Sequence, residues 1–261
     1  MKSETKRYQD SLTMMKRCLL LSKRNPDTFL TSIIMPFLMM VLFVSLFGKL
    51  IHPENISYVN YIIPGVLLQC FGQCASVTAV SVNRDITGGM ISRFSTLPIK
   101  RISVLGGHVL ESTVRNFLTA AVVLIAAVFL GFRPSAGPGE WLLILVLMLG
   151  VILTFSWLSV FIGVTSNSPE GASSLFTLVI ALPYLSSGFV PLDAMPGPLA
   201  AFARYQPMTP VIETMRSAFL GMPLDIETAM ISLLWCIGLT AVFCFCSLMF
   251  FWKRISQLLS F

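Results

Sequence analysis

Side chains able to do chemistry are few in this sequence, and their spacing narrows what they can do. Glu111 and Arg115 stand four residues apart, where two side chains share one helix face and can form an ion pair. Cys70 and Cys74, Cys244 and Cys246, together with 14 methionines, offer soft ligands for a metal path. No cysteine pair has zinc-site spacing, and cysteine and methionine inside apolar runs are more often plain hydrophobic packing. The histidines, His52 and His108, fall at the edges of apolar runs, and no nucleophile–base spacing accompanies them. A G-x-x-x-x-G-K-[ST] phosphate loop is missing. The sequence therefore predicts no catalytic residue, no metal ligand, no cofactor of its own and no disulfide framework.

The elements that carry these residues are strongly apolar. Of 261 residues, 55% are hydrophobic and 11% charged, against about 25% charged in a soluble domain. An all-α integral membrane protein follows, because lipid offers the backbone no hydrogen-bond partners outside a helix. Six apolar segments are expected to cross, at about 29–51, 61–82, 104–132, 141–163, 172–189 and 229–252. Together they make a transmembrane domain over 27–252. The first third of the 104–132 segment, with His108, Glu111 and Arg115, is expected to project beyond the apolar layer. Residues 1–26 form an amphipathic segment, with Tyr8, Leu12, Met15 and Leu19 at helical spacing between basic residues. They are too polar, for too long, to be a cleavable signal.

Lysine and arginine set the orientation. Lys2, Lys6, Arg7, Lys16, Arg17, Lys23 and Arg24 precede the first segment, Arg84, Arg93, Lys100 and Arg101 follow the second, and Lys253 and Arg254 follow the last. The alternate loops hold only Lys49, Arg133, Arg204 and Arg216. Both termini, including the 253–261 tail, are therefore expected inside. The net charge of +6 serves that topology and does not point to nucleic acid.

Two stretches need more than a topological account. "NRDITGGMISRFSTLPIKR", from Asn83 to Arg101, interrupts the apolar chain on the inner side. Ile86, Met90, Ile91 and Phe94 can share a helical face there, and Pro98 ends it. Such a face needs lipid or a groove on another protein. The stretch between Gly188 and Glu227, on the outer side, is apolar and proline-rich. Prolines should cut it into short helices that fold back toward the bilayer.

These residues resemble the ABC-2 permeases, and most of all the daunorubicin-resistance type of exporter subunit. The inner loop matches at Arg84, Gly88, Phe94 and Thr96-Leu97-Pro98-Ile99. "SPEGASS" matches at Ser168 to Ser174. The outer stretch matches at Ser187-Gly188, Pro191, Met195-Pro196, Pro207, Thr209-Pro210 and Arg216, and departs at Gln206, where the family usually has asparagine. The resemblance implies six transmembrane helices, an N-terminal interfacial helix, a cytosolic coupling helix and re-entrant outer helices before the last span. It implies that Arg84, Asp85, Met90, Ile91, Phe94 and Pro98 couple to a separate ATP-binding subunit, in two copies, which holds ATP and magnesium. Gly188, Pro191, Pro196, Pro207, Pro210 and Arg216 would form an external gate. It further implies a second permease copy, identical or related, a bacterial cytoplasmic membrane, and a hydrophobic or amphipathic cargo such as a drug, antibiotic or lipid. A polysaccharide or glycolipid cargo is the alternative. An intramembrane enzyme or ion carrier would need paired ionisable groups that the spans nearly lack.

Overall fold

Proline and glycine mark most of the helix boundaries. The structure, a computed structural model, describes residues 13–20, 26–48, 56–89 and 101–259. A short helix, α1, covers 13–20 and buries Met14 and Cys18, four apart on one face. Helix α2 (Pro26–Phe47) begins on a proline, whose missing N–H costs nothing at a first turn. Helix α3 (Tyr58–Thr87) ends where Gly89 takes a positive φ of 68°. Helix α4 (Arg101–Phe129) stops three residues short of the expected 132, because Gly131 turns the chain at φ 103°. Helix α5 (Pro138–Thr165) starts with Glu140 accepting from the Gly137 N–H at 2.6 Å.

Helix α6 (Pro169–Ala181) is capped by Ser168, whose hydroxyl accepts from the Gly171 N–H. It then tightens into a 3₁₀ turn, Leu182–Leu185. The 172–189 segment is thus not one continuous α-helix. Pro183 has no N–H for the carbonyl four residues back, and here the chain tightens into 3₁₀ pairing, whereas α2 and α3 continue through Pro36 and Pro64. A second 3₁₀ turn, Leu192–Ala194, and two short helices follow: α7 (Gly197–Tyr205) and α8 (Met208–Leu220). Helix α9 (Ile226–Leu259) begins where the exposed Asp225 carboxylate accepts from the N–H groups of Glu227 and Thr228.

Among the described residues, five helices are long and apolar enough to cross a membrane: Leu30–Phe47, Tyr58–Thr87, Ser103–Phe129, Pro138–Thr165 and Ile226–Arg254. Helix α3 is the axis of the bundle. Its apolar residues from Tyr58 to Ala79 meet α2, α4, α5, α6 and α8 in the main core. A smaller core at its other end joins Val82, Ile86, Leu105, Val109, Val160 and Phe251. Ile86 therefore closes α3 and is packed in this core; Met90, Ile91 and Phe94, expected to share its face, lie outside the described residues. Helices α2 and α9 keep broad apolar faces outward, for example Leu38, Leu42 and Leu46, and Leu234, Ile237 and Phe245. Faces of that extent suit lipid and not water.

Candidate functional site

Three polar clusters lie along α3, at its Asp85 end, its middle and its Tyr58 end. At the first, Arg17 of α1 grips Asp85 with two parallel hydrogen bonds, Nη1 to Oδ2 at 2.8 Å and Nη2 to Oδ1 at 2.9 Å. His108 of α4 reaches the same Oδ2 through Nε2 at 3.1 Å, and its Nδ1 lies 3.7 Å from Cys18 Sγ. The hydrogen bond to Asp85 raises the Arg17 pKa above its ordinary value, against the opposing effect of burial. Glycine makes the approach possible: a Cβ on Gly107 would lie 2.5 Å from Met14 Cβ. Nearby, the Asn83 side-chain amide donates to the carbonyls of Gly163 (3.0 Å) and Ser166 (2.7 Å). Arg254 donates to the carbonyls of Val164 and Ser166.

This end brings together only part of the expected coupling set. Asp85 is engaged between three helices, while Arg84 is exposed. Met90, Ile91, Phe94 and Pro98 lie outside the described residues. Arg17 and His108 are additions; they stand 68 and 23 residues from Asp85, beyond the reach of any local spacing rule.

In the middle cluster Arg115 donates to Glu111 at 2.9 Å, to the Cys74 carbonyl at 2.8 Å and to Thr78 Oγ1 at 2.5 Å. Both charged residues are buried, as is His108. The first third of α4 is therefore packed among the other helices, with all three of these polar side chains covered by protein. Its charges are tolerated there because they pair with each other and with α3. The Ser156 hydroxyl donates to Ser112 Oγ at 2.8 Å, which ties α5 to the same face of α4.

At the Tyr58 end the buried Arg216 of α8 lies over the Tyr61 ring, 3.6 Å from its centroid. Its Nε donates to the Tyr61 carbonyl at 3.1 Å and its Nη2 to the Ser187 carbonyl at 2.5 Å. That Ser187 carbonyl also accepts from the Tyr61 hydroxyl at 2.9 Å, and the Tyr58 hydroxyl donates to the Phe189 carbonyl at 2.9 Å. Between them Gly188 touches Gly65, where a Cβ would lie 2.8 Å from the Gly188 carbonyl oxygen. Of the expected gate residues, Gly188 and Arg216 meet around Ser187. The prolines stand apart from them and set helix starts: Pro191 precedes the second 3₁₀ turn, Pro196 precedes α7, Pro207 precedes α8, and Pro210 sits in its first turn. Tyr58 and Tyr61 went unread, although two tyrosines three apart at the mouth of an apolar run share a helix face.

A small apolar cavity of about 50 Å³ lies between α3, α5, α8 and α9, lined by Leu68, Phe155, Met208 and Trp235 among others. Among the described residues, no three His, Cys, Asp or Glu side chains lie together as metal ligands would. The six cysteines are free thiols. The arrangement suits holding and moving helices rather than bond chemistry.

A family model described as ABC-2 type transporter matches residues 9–220. The chain is similar to the "Daunorubicin resistance ABC transporter permease protein DrrB1" of Streptomyces coeruleorubidus. The two are 29% identical over 204 residues, covering 76% of this chain and 71% of the relative. It is also similar to the "Probable doxorubicin resistance ABC transporter permease protein DrrC" of Mycobacterium tuberculosis (strain CDC 1551 / Oshkosh). That relative is 27% identical over 224 residues, covering 84% of this chain and 79% of its own.

Proposed function

This chain belongs to the ABC-2 type transporter family, and from that premise we propose that it is the permease subunit of an ATP-driven exporter. Two copies of a separate ATP-binding subunit hold ATP and magnesium and supply the energy. A second permease, identical or related, completes the pathway. The cargo is a hydrophobic or amphipathic small molecule of the drug or antibiotic kind, moved out of the cytoplasm across a bacterial cytoplasmic membrane. Both chain termini lie inside. The sixth crossing is the compound element made of α6 and its 3₁₀ turn. At about 1.5 Å and 2.0 Å of rise per residue, its 13 and 4 residues span roughly 28 Å, close to a hydrocarbon core of about 30 Å. Helices α7 and α8 are the re-entrant pieces of the outer gate.

The observation that supports coupling best is the grip of α1 and α4 on Asp85, a few residues before the 90–100 stretch. A push delivered to that stretch reaches three helices at once. Met90, Ile91 and Phe94 fill a groove on the ATP-binding subunit, with Arg84 at the rim and Pro98 closing the segment. The test is Phe94→Ala. Loss of one buried aromatic anchor costs about 2 kcal/mol, or roughly thirtyfold in association. Co-purification of the ATP-binding subunit, or cargo-stimulated ATP hydrolysis, should fall together with export. Leu234→Ala, on the outward face of α9, should change neither. Wild-type export and hydrolysis in Phe94→Ala would reduce the stretch to a topological spacer.

A further inference from the structure

Among the described residues, the Phe47 half of α2 is held to the bundle by apolar contact alone. From Ile33 to Gly48 the one polar side chain is Ser45, and its hydroxyl donates to the Val41 carbonyl of the same helix at 2.7 Å. Phe43 lies 5.0 Å from Phe189 and 6.2 Å from Tyr184, centroid to centroid, and Phe47 lies 6.3 Å from Tyr58. Rings at such distances attract one another, yet they part without breaking a hydrogen bond. The rings they touch are fixed differently. Tyr184 accepts from Gln69 Nε2 of α3 and stacks on Phe189 at 4.7 Å, and Tyr58 of α3 donates to the Phe189 carbonyl at 2.9 Å. Three rings are thus bolted to α3, and two lean on them from α2. Helix α2 also carries a joint. Pro36 stands inside it, about two turns before Phe43, and has no N–H for the Ser32 carbonyl. On the opposite face Leu38, Leu42 and Leu46 are exposed, so no protein among the described residues backs this half of the helix from behind.

We propose that the Phe47 half of α2 is a releasable latch on the outer gate: Phe43 and Phe47 close over Tyr184, Phe189 and Tyr58, and swing clear about Pro36. The proposal rests on the reading of this end as the gate. Release removes the ring wall that α2 sets beside Phe189, next to the Gly188 and Arg216 contacts with Ser187 and α3. The half of α2 before Pro36 stays in place, which separates a hinge from a helix that merely loosens.

Distances between spin labels on the full-length chain in nanodiscs, without any ATP-binding subunit, test the latch apart from coupling. Double electron–electron resonance is read for two label pairs at exposed positions, Leu46→Cys with Leu142→Cys and Leu30→Cys with Leu142→Cys. Cys244→Ala and Cys246→Ala remove the two native thiols that are not buried. The 46–142 pair should show a closed distance and a minor open one. Phe43→Leu keeps apolar bulk but loses two ring contacts across the boundary, and should raise the open-to-closed ratio about tenfold. Phe47→Leu loses one such contact and should raise it about threefold. Pro36→Ala restores the missing N–H and should lower the ratio. The 30–142 distance should stay single in every variant. An unchanged 46–142 distribution in Phe43→Leu, an unchanged ratio in Pro36→Ala, or equal broadening of the 30–142 pair would each overturn the latch. Those outcomes leave the Phe94→Ala result untouched, so the two readings fail separately.

Discussion

The charged anchors at the two ends of α3 are fastened in opposite ways. At the Tyr58 end, Arg216 donates to backbone carbonyls, and two glycines bring main chain against main chain. At the Asp85 end, every partner of the carboxylate is the tip of a side chain, from Arg17 and from His108. Main-chain acceptors move only when the helix itself moves, whereas side-chain tips release and re-form by changing rotamer. Asn83 and Arg254 also donate to main-chain carbonyls near the Asp85 end, so the contrast belongs to the two charged anchors: the Asp85 ion pair is expected to release more readily than the Arg216 one.

Substitutions rank the two ends and can reverse the ranking. The largest effect is expected from Arg216→Leu, which removes a charged donor from the Tyr61 and Ser187 carbonyls, leaving Ser187 only the Tyr61 hydroxyl, and takes a cation from an aromatic face. About 3 kcal/mol of stability should be lost, read as a lower midpoint for thermal aggregation in detergent. Arg216→Lys should recover only part, because an ammonium cannot reproduce the planar fork. Next comes Gly65→Ala, whose added methyl meets the Gly188 backbone. A loss of about 2 kcal/mol is expected from overpacking against main chain, with the same readout. Smallest in stability is Asp85→Asn, at about 1–2 kcal/mol, since Arg17 keeps a quarter of its side-chain surface open to solvent. A double-mutant cycle with Arg17→Gln should give a coupling of about 1 kcal/mol. Here the functional cost should exceed the structural one: cargo-stimulated ATP hydrolysis should fall while the folded yield holds. If Asp85→Asn unfolds the chain more than Arg216→Leu does, this ranking of the two anchors is wrong.

The class of fold was legible because lipid leaves a chain so few options. Length and apolarity of the runs delimit the long helices, and the prolines at 191, 196, 207 and 210 announce the short pieces that follow α6. The 3₁₀ ending of the 172–189 segment was not legible, because hydropathy gives the length of an apolar run and not its hydrogen-bonding pattern. The clusters were hardest to see. Glu111 and Arg115 can be paired from their spacing alone. Arg216 and Tyr61 lie 155 residues apart, and only packing puts them in contact. His108 looked like an edge residue because it stands near the start of an apolar run that follows a basic stretch. In space it is surrounded by α1 and α3, and Asp85 is its partner.

The turn between α5 and α6 acquires its fastenings at different moments of synthesis. The Asn83 amide can close on the carbonyls of Gly163 and Ser166 as soon as residue 166 has left the ribosome. The guanidinium of Arg254 reaches Val164 and Ser166 only after 88 further residues have been made. Until then the carbonyl of Val164 lacks its cation, and α5 lacks the helix that covers much of its outer side. A chain halted at Trp252 would keep the first closure and miss the second. Protection of this turn from protease therefore times the docking of α9, and marks the point at which a nascent chain becomes a finished bundle.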